Sequence, residues 1–234
     1  MRFRRYLLVL IPLAAACLIV PLFYGKLAVA LFAAAHDMDV SYKKMHTQGA
    51  GTFLFDNMVI TDRKTGMGLS AEKARIDLAV IWPDIRRTAT RFDINDGRFL
   101  TKTGGKGGSY DNLDALVAAP FNSEWKYSRI SGGVYSEPGG ITVKDLTAGS
   151  GEIRVLLNGR MSKDSTVSSD ITIYFHDKLI GKMPPELTNV VLKNEDESWK
   201  SLSVHLEGDY TAPSIKVSGK LFRLSIGVKE KDPS

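Results

Sequence analysis

Cysteine is almost absent from this chain of 234 residues, and the single one, Cys17, lies in an apolar stretch near the N-terminus. The residues that follow it therefore contain no disulfide bond, no thiolate metal ligand and no cysteine nucleophile. A domain without such links must be stabilised by its hydrophobic core alone, which about 200 residues can provide.

Histidine is also scarce, and no cluster of chemically reactive residues appears. The four histidines lie in four separate segments, at His36, His46, His176 and His205. No two of them have the i, i+4 or H-x-H spacing that places two metal ligands on one element. The sequence therefore predicts no metal site, no cofactor and no catalytic residue. An enzyme would instead require a concave pocket with converging titratable groups.

A concentrated basic surface is missing as well. The formal net charge of +5 comes partly from Arg2, Arg4 and Arg5, and the later basic residues are interspersed with acidic ones. Nucleic-acid-binding proteins combine a basic stripe with aromatic side chains, so we expect no nucleic-acid partner. The glycine-rich stretch Gly104–Ser109 lacks the G-x-x-x-x-G-K-[ST] pattern of a phosphate-binding loop, and it predicts a surface loop.

One long apolar run is present, from Tyr6 to Gly25. A helix needs about 20 apolar residues to cross a hydrocarbon core of about 30 Å. Arginines precede the run and Lys26 follows it, so the positive-inside rule places the N-terminus in the cytoplasm. We expect a single-pass protein of a bacterial inner membrane, with a cytoplasmic tip (1–5), a transmembrane anchor (6–25), a helix extension (26–36) and a periplasmic domain (37–234).

Two other interpretations of this segment stay open. A cleaved secretory signal could end at Ala33–Ala35, although Lys26 would then interrupt the segment. A lipoprotein signal could end at Cys17, because Ala14–Cys17 loosely resembles a lipobox. The residues after Cys17 remain strongly apolar, however, where a mature lipoprotein usually begins with a polar tether. The length of the run and its flanking charges favour the anchor.

The remainder of the chain is dominated by apolar residues that alternate with polar ones. In Lys73–Trp82, the side chains of Ala74, Ile76, Leu78 and Val80 fall on one face, which is the pattern of a half-buried strand. Similar segments follow near 91–99, 152–157, 170–175 and 202–206, and glycine-containing turn signals recur between segments. The turn signals are Thr65-Gly66, Asp96-Gly97, Gly132-Gly133, Pro138-Gly139-Gly140, Asn158-Gly159 and Glu207-Gly208-Asp209.

These patterns predict a mainly β fold, either a curved antiparallel sheet with a groove or a sandwich. Helices are expected only at Asp111–Ala119 and at Pro184–Val191, and residues 103–120 form a possible seam between two β halves. The apolar positions change parity after Leu221, which predicts a β-bulge near Ser218–Lys220 in one final strand.

The segment from Thr52 to Leu78 resembles the N-terminal region of AsmA-like proteins, in which a membrane anchor is followed by a strand, a turn and a second strand. The stretches Ile141–Gly159 and Leu206–Ile215 are similar to the strand repeats of that family. The latter also resembles the C-terminal portion of the type II secretion N component. These resemblances imply an inner-membrane anchor, a curved β-rich periplasmic domain, and a role in envelope lipid traffic or in secretion-machine assembly.

Three functions follow as alternatives: a module for envelope lipid handling or outer-membrane maintenance, a structural component of a type II secretion or other envelope complex, and an enzyme. The corresponding partners are phospholipid acyl chains or other envelope proteins. For the lipid function, one face of the sheet would form an apolar groove. The residues predicted to line it are Ile76, Leu78, Val80, Ile153, Val155, Ile171, Ile173, Val204, Val217 and Leu221.

Overall fold

The computed structural model describes residues 25–27, 29–30, 33–34, 37–49, 51–64, 66–80, 84, 87–100, 112–122, 125–209, 213–221 and 223–227. The mainly β prediction is confirmed, because these residues form one antiparallel, open sheet of thirteen strands with a few short helices. The strands are β1 (Met38–Ser41), β2 (Lys44–Gln48), β3 (Thr52–Asp62), β4 (Gly68–Val80), β5 (Thr88–Leu100), β6 (Tyr127–Glu137), β7 (Gly140–Gly149), β8 (Ile153–Ser162), β9 (Thr166–His176), β10 (Lys193–Asn194), β11 (Trp199–Asp209), β12 (Ser214–Ser218) and β13 (Arg223–Gly227).

The strand order follows the sequence almost throughout. It runs β1-β3-β4-β5-β6-β7-β8-β9-β11-β12-β13. In addition, β2 pairs with the first residues of β3, β1 pairs with its last residues, and β10 pairs with the first residues of β11. We call the end of the sheet where β3 begins and β4 ends the lower rim, and the opposite end the upper rim. The strands flanking the predicted seam, β5 and β6, are direct neighbours in this sheet.

The helices lie at the upper rim. Helix α1 (Leu113–Ala118) continues into a 3₁₀ helix (Ala119–Phe121) between β5 and β6, and Asn112 caps it by accepting the Ala115 N–H at 2.8 Å. Helices α2 (Asp177–Ile180) and α3 (Pro185–Val190) connect β9 to β10. The two predicted helices correspond to α1 with its 3₁₀ extension and to α3, whereas α2 had no signal in the sequence pattern.

The sheet is strongly curved. A flat sheet would separate β5 from β12 by about 29 Å, because neighbouring strands lie about 4.8 Å apart. Nevertheless Phe121, after α1, contacts Phe99 of β5 with ring centroids 5.6 Å apart, and it lines one cavity of about 220 Å³ with Ile215 and Val217 of β12. Strands β5 and β12 therefore curl toward each other around the helices.

Irregular residues inside the strands accompany this curvature. Asn57, Asp96 and Asp145 have left-handed backbones with φ of 51° to 55°, a conformation that Asn and Asp adopt more readily than most residues. Asn57 in β3 and Asp96 in β5 lie in the same row of the sheet, on either side of Glu72 in β4. The inward face changes parity at this row, from Phe55 to Met58 in β3 and from Ile94 to Gly97 in β5.

Several turn predictions were wrong. Asp96-Gly97, Gly132-Gly133 and Asn158-Gly159 lie inside β5, β6 and β8, because these strands are 10 to 13 residues long and absorb glycine at bends. The predicted bulge near Ser218–Lys220 is also wrong. Strand β12 ends at Ser218, which pairs with Arg223 at the start of β13, so the parity change marks a hairpin.

Candidate functional site

The inward face of the upper half of the sheet is a closed core. Ile153, Ile173, Phe175 and Leu202 are at most 1% exposed. Side chains from the helices and from the segment after α3 cover them, namely Leu116, Leu179 and Leu192, which are equally buried. We call this region the upper core.

The same face is open toward the lower rim. Leu78 and Met161 are 38% and 36% exposed, and Val134, Ile141 and Leu206 on other strands are half-buried. Residues paired across an antiparallel sheet share a face, and the pairing joins these strands to the inward residues of the upper core. These five residues define an apolar surface that we call the lower trough.

The ten predicted groove residues divide between these two regions. Ile153, Val155, Ile173, Val204 and Val217 belong to the buried core rather than to an open groove, because helices cover them. Ile76 and Leu78 lie on the half-exposed lower part of the same face, and Ile171 is half-buried beside Val204. Leu221 lies in the β12–β13 turn and is 70% exposed, and the side chain of Val80 falls outside the described part of the chain.

Leu78 of the lower trough also lines an apolar cavity of about 190 Å³, which we call the Val29 cavity. Among the described residues that line it, only Thr90 has a hydroxyl group and none is charged. The lining residues are Val29, Val40, Phe53, Phe55, Met58, Ile60, Ile76, Leu78 and Thr90.

The N-terminal residues form one wall of this cavity. The described residues between 25 and 34 are helical, and Val29 packs against the hydrophobic core. Gly25 approaches β2 so closely that a Cβ atom built on it would lie 2.5 Å from Thr47 Cγ2. Since Gln48 and Thr52 pair at the lower rim, the chain joins the fold beside the open end of the trough.

The outer face of the sheet is polar, and its charges are mostly paired. Arg129 makes a bidentate contact with Asp93 at 2.6 and 2.9 Å, and Lys126 joins Glu72 at 2.9 Å and Asp96 at 3.1 Å. Arg75 and then Thr52 donate hydrogen bonds to Asp77 and lower the pKa of its carboxyl group. These contacts support the bent strands from outside.

Two histidines lie on this outer face, each with a structural contact. His176 Nδ1 accepts the Lys178 N–H at 3.1 Å at the start of α2, and its ring meets Trp199 edge-on. His205 lies 2.7 Å from Asp170, beside the pair of Glu207 and Lys216. Among the described residues, no three His, Cys, Asp or Glu side chains are grouped as a metal site would require.

A shallow polar depression of about 330 Å³ lies on the same face, lined in part by Lys144, Asp145, Arg160 and Asp170. Elsewhere on this face, the hydrogen bond from Lys216 is the main cause of the lowered pKa of the exposed Glu207 carboxyl group. The depression combines opposite charges on an exposed sheet and resembles a solvated surface more than a reaction centre.

Several sequence predictions fall outside the described residues. They concern the apolar run up to residue 24 with Cys17, His36, and the loop Gly104–Ser109. Within the residues that the structure describes, no helix is long and apolar enough to cross a membrane.

Sequence reasoning missed five lining residues, Val29, Val134, Ile141, Met161 and Leu206. For Met161 the signal is present, because it continues the inward parity of Ile153, Val155 and Leu157 past Gly159, which the sequence pattern predicts to be in a turn. A comparison of the chain with family models, curated proteins and solved structures found no match.

Proposed function

We propose that this chain is a membrane-anchored periplasmic protein that binds lipid acyl chains and takes part in envelope lipid handling or outer-membrane maintenance. The observation that carries the proposal is the lower trough. It is an apolar surface open at the end of the fold where Gly25, the last residue of the long apolar run, lies.

The energetics of exposed apolar surface support this function. Each Å² of apolar surface left in water costs about 25 cal/mol, and large contiguous apolar patches on soluble domains generally mark binding sites. The trough residues belong to five different strands and face one concave space, so an elongated apolar ligand could contact all of them. The resemblance of Thr52–Leu78 to AsmA-like proteins supports the same class of ligand.

In this proposal, the ligand comes from the bilayer to which the protein is anchored. A helix over residues 6–25 would meet the fold at Gly25, which packs against β2 at the lower rim. The open end of the trough would then face the membrane surface, and a lipid tail could move from the bilayer into the trough without crossing water.

A photocrosslinking residue placed at Leu78 in living cells tests the proposal. We expect covalent adducts with phospholipid at this position. Leu156 is the matched control, because it is 41% exposed but lies on the outer face of β8. Absence of lipid adducts at Leu78, or equal labelling at both positions, would contradict acyl-chain binding.

A structural role in an envelope assembly is the second candidate, and the edge strand β13 favours it. Among the described residues, nothing pairs with the free side of β13, and Val190, Leu221 and Leu224 near this edge are 43% to 70% exposed. Unpaired edges with apolar neighbours readily accept a strand from another chain. Protein adducts from a crosslinker at Leu221, together with no lipid adducts at Leu78, would favour this role.

A further inference from the structure

The upper end of the concave face is closed by helices that are fixed on both sides. The Tyr127 hydroxyl donates to the Pro120 carbonyl at 2.7 Å and holds the 3₁₀ helix against β6. On the opposite side, the N–H groups of Lys220 and Leu221 donate to the carbonyls of Val191 and Val190, both at 3.2 Å. Sliding a lipid through this end would require separating side chains that are completely buried.

The lower end has the dimensions of one lipid tail. From Ala74, which is buried, to Val80 at the lower rim, β4 extends about 20 Å at about 3.3 Å per residue. A lipid tail occupies half of a hydrocarbon core, or about 15 Å. The trough is therefore deep enough to hold a whole tail while its polar headgroup remains at the rim.

The Val29 cavity is the place where the tail would end. Its volume of about 190 Å³ exceeds the engineered apolar cavity of about 150 Å³ that binds benzene. A headgroup is excluded from it, because a charged group buried without a partner is strongly unfavourable. An apolar chain end meets no such penalty there.

We propose that the trough is one-ended: a phospholipid tail enters at the lower rim, its end lies in the Val29 cavity, and the headgroup stays outside. This inference rests on the proposed lipid-binding function. It differs from the conduit that a long AsmA-like groove implies, because a chain bound in this way returns through the rim by which it entered. The protein would hold a lipid beside the membrane and would not pass it along the sheet.

Two phosphatidylglycerol probes test the orientation, one with a diazirine at the tail end and one with a diazirine next to the ester. Each is mixed into vesicles of phosphatidylethanolamine and phosphatidylglycerol that carry the full-length protein, and labelled peptides are identified by mass spectrometry. We expect the tail-end probe to label the peptide containing Phe53–Ile60, and the ester-proximal probe to label the lower-rim residues around Ala79 and Thr88.

Phe121 distinguishes a one-ended trough from a conduit. It is 40% exposed at the upper end, beyond the helices that close the core. Labelling at Phe121 as strong as that at the trough would overturn the one-ended arrangement while supporting lipid binding. Reversed positions of the two probes would do the same. No labelling of the trough by either probe would overturn both the inference and the proposed function.

The substitution Val29→Trp fills the cavity from the N-terminal helix and leaves the sheet residues unchanged. We expect an about tenfold loss of tail-end labelling, the effect of keeping about two methylene groups out of the cavity. Leu156→Trp on the outer face is the matched control and should leave labelling unchanged. Retained ester-proximal labelling at the rim would show that the Val29→Trp protein is folded, and unchanged tail-end labelling in this variant would overturn the assignment of the cavity.

Discussion

The upper core and the lower trough are built from the same strands, yet one is closed and the other is open. In β11, Leu202 is completely buried and Leu206 is half-exposed, although both point to the concave side. The connections explain the difference. Long connections carry α1, α2 and α3 over the upper rim, whereas short turns at Pro138–Gly139 and Lys163–Ser165 close two hairpins at the lower rim. Whether an apolar face is buried therefore depends on the length of the connections between strands as well as on the alternation of apolar residues within them.

The most severe test of this comparison introduces the same charge into both halves. Ile173→Asp buries a carboxylate in the upper core, where desolvation without a partner costs more than a domain of this size can tolerate. We expect no folded protein from it. Leu78→Asp should fold, because its side chain reaches water at the rim. Protease resistance of the full-length protein in detergent, with wild type as reference, measures both, and a folded Ile173→Asp protein would contradict the closed core.

A smaller effect is expected when buried volume is removed. Leu202→Ala should lower the free energy of unfolding by about 2–5 kcal/mol, the range for leucine in a packed core. Leu206→Ala, four residues lower on β11, should reduce the free energy of unfolding by about 1 kcal/mol or less because that side chain is already half-exposed. Urea unfolding followed by tryptophan fluorescence compares the two. Equal losses would mean that the two halves are packed alike.

The bend of the sheet can be tested with a pair of glycines. A Cβ atom at Gly132 would lie 2.9 Å from the Leu146 Cα and 3.2 Å from the Phe92 ring, so Gly132→Ala forces backbone apart where the sheet curves. We expect a loss of about 1–3 kcal/mol in unfolding free energy, as for overpacked cores. At Gly149 a Cβ would meet nothing within 4 Å, so Gly149→Ala should leave the melting temperature unchanged or slightly higher. A neutral Gly132→Ala would argue against close packing at the bend.

The smallest effect concerns the lower rim, where Thr52 donates to Asp77 at 2.6 Å. Because Arg75 and Thr52 lower the pKa of Asp77 below its ordinary 3.8, the ionised carboxylate stabilises the folded state above that pH. This stabilisation is lost as the pH falls through the lowered pKa. Thr52→Val should reduce stability at pH 7 by less than about 1 kcal/mol, since the pair is partly exposed.

Thermal melts of wild type and Thr52→Val across the acid range measure this contribution. The difference in melting temperature should be present at pH 7 and should vanish once Asp77 is protonated. A difference that persists at the lowest pH would assign the effect of Thr52 to packing rather than to the carboxylate.

Sequence alternation was sufficient to predict an antiparallel β fold and the inward position of residues such as Ile76, Val155 and Ile173. It could not separate core from trough, because an apolar side chain has the same parity whether a helix covers it or not. The covering residues, such as Leu116 and Leu192, are distant in sequence from the strands they protect. Alternation also failed to predict that β3 and β5 continue through Asn57 and Asp96, because the left-handed backbone of these residues usually marks a turn.

The nearly sequential strand order has a consequence for how the domain forms. From β3 to β8 every strand pairs with the strands just before and after it. Apart from the longer connection between β5 and β6, each of these pairings closes a short loop and costs little chain entropy. A chain with this strand order can add the strands one hairpin at a time as it is synthesised. The upper core cannot form in this stepwise way, because the contacts of Lys220 and Leu221 with the end of α3 form only after β12 has been synthesised. We therefore expect that the nascent domain has its open trough before it has its closed core.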